Sequence, residues 1–273
     1  MLSWETHPLH PQPFFNQEQI MKRILALSLS LSLSLFLTFG LVVTLQAAGE
    51  NHLAVQSVSG MNETGWRSFW KPRFEQKFKQ AESEEIDIVL LGDSITNFWE
   101  GNGKDAYAKW FGNRKVLNLG FSGDRTQHTI WIVKDSGILD KIDPKLFVLM
   151  IGTNNVGWNE TDPAQTQEGI REILRLVREK KPNAKIVLFS VFPRGANSQD
   201  KMRQLVNQIN EGVPAMADGE NIFYVDINPQ LLEADGDTLS RDMMPDLLHP
   251  GAKGYEIWGA AIDPFVKKYV EGK

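Results

Sequence analysis

The stretch IVLLGDSITNFWE, residues 88–100, runs four apolar residues directly into Gly92, Asp93 and Ser94. An apolar run of this length that ends in a glycine turn is typical of a buried strand followed by a helix. Ser94 then lies at the helix start, where its hydroxyl either caps the helix or acts as a nucleophile. Only the rest of the sequence can distinguish these two roles.

Four further apolar runs of strand-like length follow, and longer helical patterns separate them. With the first run at 86–91, they lie at 115–119, 145–151, 185–191 and 221–227. Asp162 and Pro163 form a helix start between the third and fourth runs, and a second helical pattern covers 251–270. Apolar strands that alternate with helices are typical of a parallel sheet covered on both faces. The sequence therefore predicts an α/β protein, a three-layer α/β/α sandwich with five strands.

The N-terminal region differs in composition from the rest of the chain. Lys22 and Arg23 precede an uncharged run from residue 24 to residue 45, and two alanines follow at 47–48. We expect residues 1–48 to hold an N-terminal extension and a signal peptide, or a membrane anchor if the segment is retained. Met21 would be a more usual start for such a signal than Met1.

The remainder of the chain divides into two parts. Residues 49–64 are polar and contain Gly, Ser and Asn, so we expect a tether. Residues 65–273 are expected to form a single domain that begins with a helical lead-in interrupted at Pro72, whose aromatic residues recur at helix-like spacings and are expected to pack on the domain. With a signal or anchor in front of it, this domain is expected outside the cytoplasm, in the periplasm or the extracellular space.

Composition excludes several classes of function. The 29 Lys and Arg residues against 34 Asp and Glu residues leave a formal charge of -5, with no basic excess for nucleic-acid phosphates. The chain has no cysteine, which excludes disulfides, thiolate nucleophiles and cysteine-ligated metals. Asp242, Asp246 and His249 would be a poor zinc set, so we expect no metal.

Sites in parallel α/β sheets lie at the carboxyl ends of the strands, which narrows the search for a base to activate Ser94. Only one histidine, His249, lies in a loop at this edge; the others precede the apolar segment or lie in the tether or in a helical pattern (His7, His10, His52, His128). Asp246, three residues earlier in DLLHPG, can reach the imidazole Nδ1 while Nε2 faces the serine. The spacing predicts a catalytic triad of Ser94, His249 and Asp246.

The same reaction places negative charge on a carbonyl oxygen, which needs hydrogen-bond donors held in place beforehand. The backbone N–H of Ser94 lies at a helix start, and Gly123 allows the backbone to approach a ligand closely. The side chain of Asn154, in GTNN, is a third possible donor. These three residues are the predicted oxyanion hole.

Four blocks, GDSI, GFSGD, GTNN and DLLH, occur in this order, and together they resemble the GDSL-type, or SGNH, hydrolase family. The stretches LNLGFSGDRTQHTIWIV, VFPRG and LHPGAKGYEIWG are especially similar to its platelet-activating-factor acetylhydrolase-like branch. The resemblance covers about residues 67–270. It implies a flavodoxin-like sheet, Ser94 as nucleophile, Gly123 and Asn154 in the oxyanion hole, and Asp246 and His249 as the rest of the triad. Because Ser122 departs from the usual glycine, Gly120 stays open as the alternative to Gly123.

Five further residues near these blocks are expected to support the site. Asp93 is expected to bond loop amides, and Asn155 and Arg194 to brace the site. Trp99 and Trp158 follow site loops, and each either lines an acyl or sugar pocket or belongs to the core.

With the N-terminal segment that indicates export, the resemblance predicts an exported serine esterase that needs no cofactor. It is expected to remove short acyl groups, chiefly acetyl, from oxygen esters of carbohydrate. A lysophospholipase or platelet-activating-factor-acetylhydrolase-like lipid esterase is the nearest alternative. A non-catalytic carbohydrate-binding or surface protein on a hydrolase scaffold is the alternative from another class, and it predicts a missing triad member. The partner is thus a small-molecule or polysaccharide ester, no nucleic-acid partner is expected, and the oligomeric state stays open.

Overall fold

The computed structural model describes residues 52–273, which form a five-stranded, all-parallel sheet with flanking helices. The strand order is β2-β1-β3-β4-β5. The strands are β1 Ile88–Gly92, β2 Val116–Gly120, β3 Leu146–Met150, β4 Lys185–Phe189 and β5 Ile222–Val225. Each overlaps one of the apolar runs, so the predicted parallel sheet is confirmed.

Helices connect the strands and cover the sheet. They are α1 Trp70–Ser83, α2 Ser94–Asn97, α3 Lys104–Trp110, α4 Thr126–Lys134, α5 Thr153–Gly157, α6 Pro163–Lys180, α7 Lys201–Gly212, α8 Asn228–Leu231 and α9 Ala252–Tyr269. Every residue of β1, β2 and β3 is buried. Because side chains of a strand alternate between two faces, burial of every residue requires a layer on each side. The predicted three-layer sandwich is therefore confirmed.

Helix α6 shows how local sequence positions these layers. The Asp162 side chain accepts from the backbone N–H of Gln165, and the Gln165 side chain accepts from the N–H of Asp162, which closes a capping box ahead of Pro163. The apolar face of this helix is buried and includes Ile173 and Val177. This is the helix start that the sequence predicts.

The lead-in differs from the expectation at Pro72. A short 3₁₀ turn covers Gly65–Arg67, and α1 then runs from Trp70 through Pro72 without interruption. Pro72 is tolerated because it lies in the first turn, where backbone N–H groups have no intrahelical acceptor. The break in the lead-in comes before the proline, not at it.

Part of the predicted tether packs on the domain. Leu53–Val55 form a 3₁₀ turn in which Ala54 is fully buried, and the carbonyl of Ala54 accepts from Thr126 Oγ1 at 2.8 Å. The N–H of Val58 donates to the carbonyl of Gln127 at 3.1 Å. The expectation of a free tether is wrong for these residues, because their backbone groups find partners at the start of α4.

The predicted signal or anchor at 1–48, and the first residues of the tether, lie outside the described residues. Within residues 52–273, no helix combines the length and apolar character needed to cross a membrane.

Candidate active site

The carboxyl ends of three neighbouring strands bring the predicted site residues to one edge of the sheet. Gly92 of β1 is level with Gly120 of β2 and with Met150 of β3. Each strand ends there and turns into a loop or short helix, and these segments carry three of the predicted residues (Ser94, Gly123, Asn154). The shared register is what places loops from distant parts of the sequence side by side.

Three polar side chains form a continuous relay at this edge. Ser94 Oγ lies 2.9 Å from His249 Nε2, and His249 Nδ1 lies 2.7 Å from Asp246 Oδ2. With Asp246 ionised, Nδ1 donates to the carboxylate, which leaves Nε2 to accept the proton of Ser94. Partial burial raises the pKa of Asp246, but hydrogen bonds from the backbone and ring of His249 outweigh it and keep the pKa below its ordinary value.

Both carboxylate oxygens of Asp246 accept hydrogen bonds that hold the turn carrying Asp246 and His249. Asp246 Oδ1 accepts from the N–H of Leu248 at 3.0 Å and of His249 at 2.7 Å, while Oδ2 holds the ring. Leu247 has a φ of 62°, a left-handed conformation that costs a bulky residue energy. Its carbonyl accepts from the N–H of Gly195 at 2.9 Å, so the loop after β4 fixes this turn.

Three N–H donors near the serine are free of competing acceptors. Among residues 52–273, no acceptor is found for the backbone N–H of Ser94 or of Gly123. Asn154 Nδ2 donates one hydrogen to the carbonyl of Asp124 at 2.9 Å, which leaves its second hydrogen available. Such unused donors at the ends of strands are what an oxyanion hole requires.

The structure distinguishes Gly120 from Gly123. The N–H of Gly120 donates to Asn118 Oδ1 at 2.9 Å, so it is not available to a ligand. A Cβ at Gly120 would lie 2.4 Å from the backbone nitrogen of Asn97, so this glycine lets α2 pack against β2. Gly123 instead has a φ of +78° and an N–H that is not engaged. These contacts favour Gly123 as the donor.

A buried ion pair supports the Gly123 loop, and the sequence did not reveal it. Arg67 Nη2 lies 2.8 Å from Asp124 Oδ1, and Trp70 Nε1 donates to the same oxygen at 2.9 Å. Burial raises the pKa of Asp124 to about 7, against the opposing effects of Arg67 and the Trp70 N–H. Because the carbonyl of Asp124 holds Asn154, the lead-in acts on both sides of the oxyanion hole. The available signal was the aromatic spacing of the lead-in, which predicted only that the lead-in packs on the domain.

Asp93 lies beneath the serine and is fully buried. Its Oδ1 accepts from the N–H of Ile95 at 2.9 Å, and its Oδ2 has no partner among the described residues. Burial raises the pKa of Asp93 to about 6, although that hydrogen bond and the nearby His249 and Arg194 act in the opposite direction. Asp93 is thus the N-cap of α2: its side chain bonds an amide of this helix, not the loop amides that the sequence predicts, and it makes no hydrogen bond to the imidazole.

Asn155 and Arg194 contact the elements that carry the site. Asn155 is fully buried, and its Oδ1 accepts from the N–H of Thr126 at 3.0 Å. Arg194 Nη1 donates to the carbonyl and the hydroxyl of Thr153 at 3.1 and 3.2 Å, next to Asn154. The first contact ties α5, which carries Asn154, to the start of α4, and the second ties it to the loop after β4.

The two tryptophans have different environments. Trp99 is fully buried and packs on Tyr255 and Trp258, with ring centroids 4.7 and 5.1 Å apart, so it belongs to the core and does not line the site. The 3₁₀ turn Phe98–Glu100 directs its ring inward. Trp158 is 43% exposed and directly follows α5.

No group of three or more His, Asp or Glu side chains within residues 52–273 is arranged to hold a metal ion. Of the residues considered above, Asp242 instead pairs with Lys253 at 2.6 Å.

A parallel α/β sandwich that holds Ser, His and Asp in one relay at its carboxyl edge has the architecture of a serine hydrolase. The chain belongs to the GDSL-like lipase/acylhydrolase family, whose profile matches residues 90–257. It is a hydrolase by this membership.

Two relatives and one solved structure are similar to this chain. The chain is 32% identical over 187 residues to platelet-activating factor acetylhydrolase IB subunit alpha1 of Homo sapiens, and the alignment covers 68% of this chain and 78% of the relative. It is also 32% identical over 187 residues to the IB subunit beta homolog of Drosophila melanogaster, covering 67% and 80%. The fold is similar to that of a GDSL-like lipase from Bacteroides thetaiotaomicron, with a TM-score of 0.58, 21% identity and coverage of 72% and 97%.

Proposed function

We propose that this protein is an exported serine esterase that hydrolyses short-chain oxygen esters, chiefly acetyl esters of carbohydrate, through an acyl-enzyme on Ser94. The observation that carries the proposal is the relay of 2.9 and 2.7 Å from Ser94 through His249 to Asp246, next to N–H donors without acceptors. The non-catalytic alternative predicts a missing or displaced triad member, and the three side chains are instead within hydrogen-bonding distance.

The first half of the reaction forms the acyl-enzyme. Ser94 Oγ attacks the carbonyl carbon of the ester while its proton passes to His249 Nε2. The carbonyl oxygen becomes an oxyanion and accepts from the N–H groups of Ser94 and Gly123 and from Asn154 Nδ2. The bond from carbon to the alcohol oxygen then breaks, and the His249 imidazolium protonates the departing alcohol. Asp246 stabilises that imidazolium and keeps Nδ1 protonated throughout.

The second half returns the enzyme to its starting state. Water takes the place of the alcohol, and His249 Nε2 accepts one of its protons as the oxygen attacks the acyl carbon. The second oxyanion collapses with cleavage of the bond to Ser94 Oγ, which recovers its proton from His249. The free acid leaves, and no electron or metal is consumed in either half.

The preference for acetyl is supported by the relatives, which are named acetylhydrolases. The same names favour the second candidate, in which the ester belongs to a platelet-activating-factor-like or lysophospholipid molecule. Export is supported by the basic pair and uncharged run of residues 22–45. N-terminal sequencing of the mature protein tests export, since a mature chain that begins at Met1 would contradict it.

An acyl-substrate panel with identification of the released acid tests the rest. We expect turnover of p-nitrophenyl acetate, falling rates as the acyl chain lengthens, and covalent labelling of Ser94 by a fluorophosphonate. Ser94→Ala should abolish both turnover and labelling without loss of thermal stability, since Ser94 is a short side chain at a helix start. Dominant release of long-chain acids would contradict the acetyl preference, and absence of both turnover and labelling would contradict the esterase.

A further inference from the structure

Two tryptophans form an exposed pair beside the active site. Trp66 is 62% exposed and Trp158 is 43% exposed, and they are the large hydrophobic side chains found exposed among residues 52–273. Their ring centroids lie 5.6 Å apart with an angle of 60° between the planes, so the two indoles are in contact. A single exposed apolar side chain is ordinary, whereas two large indoles in contact at a site are typical of a binding surface.

The pair adjoins the residues proposed as the oxyanion hole. A Cβ built on Gly123 would lie 2.5 Å from the Cη2 atom of Trp66, so the indole edge is in contact with this glycine. The backbone N–H of Trp158 donates to the carbonyl of Asn154 at 3.1 Å. A substrate whose carbonyl oxygen lies between Gly123 and Asn154 is therefore next to both indoles.

A buried guanidinium holds each indole in place. The Arg67 guanidinium carbon lies 5.8 Å from the ring centroid of Trp66, and that of Arg125 lies 4.7 Å from Trp158. Both arginines are at least nine-tenths buried, and Glu63 and Glu160 pair with them. The indoles are thus fixed by cation–π contacts from within, and little conformational entropy is lost when a ligand binds them.

We propose that Trp66 and Trp158 bind a pyranose ring of the acyl acceptor, an inference that rests on the esterase function proposed above. The C–H face of a sugar ring is apolar and flat, and it stacks on an indole while its hydroxyls remain at the edge. The Glu63 and Glu160 side chains are each 27% exposed next to the arginines, so their oxygens accept hydrogen bonds from such hydroxyls.

The same contacts disfavour a quaternary ammonium headgroup. Cation–π binding uses the negative face of the ring, and here an arginine already polarises each indole. Because Arg67 and Arg125 already lie over the two indoles, a second cation on the same pair of rings gains less cation–π attraction than it would on unoccupied rings. A neutral sugar ring stacks through apolar contact and does not depend on that attraction, which favours the sugar over a choline ester.

The test compares two acetyl esters in the full-length protein. One is a mixture of acetylated xylo-oligosaccharides, and the other is ethyl acetate, which has no ring that could stack on the indoles. Trp66→Ala and Trp158→Ala should each lower kcat/KM on the oligosaccharides about tenfold, mainly by raising KM. Without the indole, the apolar face of the bound sugar ring that stacked on it stays exposed to water. Turnover of ethyl acetate should stay within about twofold of the unaltered protein.

Trp110→Ala is the matched control, because Trp110 is a partly buried indole that packs on Gly259 of α9. It should change turnover of both esters equally. Equal losses on both esters in the Trp66 and Trp158 variants would show a merely structural role and overturn the inference. Selective loss on a choline-containing acetyl ester would also overturn it, in favour of a headgroup site.

Binding separates this inference from the esterase function itself. The Ser94→Ala variant should bind the same oligosaccharides after alkaline deacetylation, with a change in tryptophan fluorescence that Trp158→Ala removes. If the unaltered protein hydrolyses no ester but this binding occurs, the esterase proposal fails and the sugar site remains. If ethyl acetate is hydrolysed but no oligosaccharide binds, the sugar site fails and the esterase remains.

Discussion

Replacing Gly123 with alanine tests the assignment of the oxyanion donor. Gly123 has a φ of +78°, and a Cβ there would lie 2.5 Å from Trp66 Cη2 and 2.6 Å from Arg67 Nη1. Trp66 is exposed and can move, whereas Arg67 is 2% exposed and paired with Asp124. The loop backbone must therefore shift to relieve the contact with Arg67, and the N–H of residue 123 shifts with it.

The expected effects on stability and rate have different sizes. An alanine in the left-handed region costs about 1–2 kcal/mol of folding free energy. Displacement of one oxyanion donor lowers kcat by roughly 10²- to 10³-fold, because the lost hydrogen bond is made in the transition state. The variant should therefore remain folded and lose most of its activity through kcat.

Gly137→Ala is the matched control. Gly137 has a φ of +76°, and no atom lies within 4 Å of a Cβ built there. It should lose only the backbone cost of about 1–2 kcal/mol, less than Gly123→Ala, which also has the close contact with Arg67, and its kcat should be unchanged. Initial rates on p-nitrophenyl acetate and denaturant unfolding of the two variants measure both quantities. A kcat for Gly123→Ala within about threefold of that for Gly137→Ala would refute the assignment.

Three further substitutions test the neighbouring groups. Asp246→Ala removes the partner that orients His249, so kcat on p-nitrophenyl acetate should fall roughly 10²- to 10⁴-fold with unchanged KM; near-native kcat would contradict the relay. Burial raises the pKa of Asp93 to about 6, so the neutral Asp93 carboxyl contributes to the free energy of unfolding. That contribution is fully present below about pH 4 and is lost as the pH rises through about 6. An asparagine side chain cannot ionise, so the Asp93→Asn variant should avoid this loss. In denaturant unfolding, its free energy of unfolding relative to that of the unaltered protein should rise by about 3 kcal/mol between pH 4 and pH 7.5, and parallel profiles of unfolding free energy against pH would contradict this. Arg67→Ala leaves Asp124 buried without its ion pair and should cost about 3–5 kcal/mol of unfolding free energy, which adding Asp124→Asn should partly restore; a cost under about 1 kcal/mol would rule out a structural ion pair.

The sheet could be predicted from the sequence because its signals are local. Each strand is a short apolar run, and β1, β2 and β3 are buried throughout, so their composition alone distinguishes them from the helices between them. The helix start at Asp162 is equally local, since both partners of its capping box lie within four residues. The ends of parallel strands then indicated which loops would meet. The structure places Ser94, His249 and Asp246 together at that edge, and their catalytic roles stay predictions.

Contacts between distant segments were not predictable in the same way. Trp99 follows the serine turn in sequence, yet its ring packs between side chains of the last helix, which no spacing near residue 99 indicates. The aromatic spacing of the lead-in predicted packing on the domain. It did not distinguish Trp66, which stays exposed, from Trp70, which is buried and holds Asp124. Which of two neighbouring indoles is covered depends on the loop opposite, not on their own pattern.

The residues of the predicted triad differ in how firmly the fold holds them, because two of them lie on the turn around Leu247. Ser94 comes two residues after the end of β1, a strand that is paired on both sides, whereas His249 and Asp246 lie on an irregular segment. The hydrogen bond from the N–H of Gly195 to the carbonyl of Leu247 joins that segment to the loop after β4. Opening of such a segment requires much less free energy than unfolding of buried strands. In the mechanism proposed above, activity therefore depends on the local position of the 246–249 turn, whereas spectroscopic unfolding reports on the sheet. We expect activity to be lost at a lower denaturant concentration than the spectroscopic signal of the sheet.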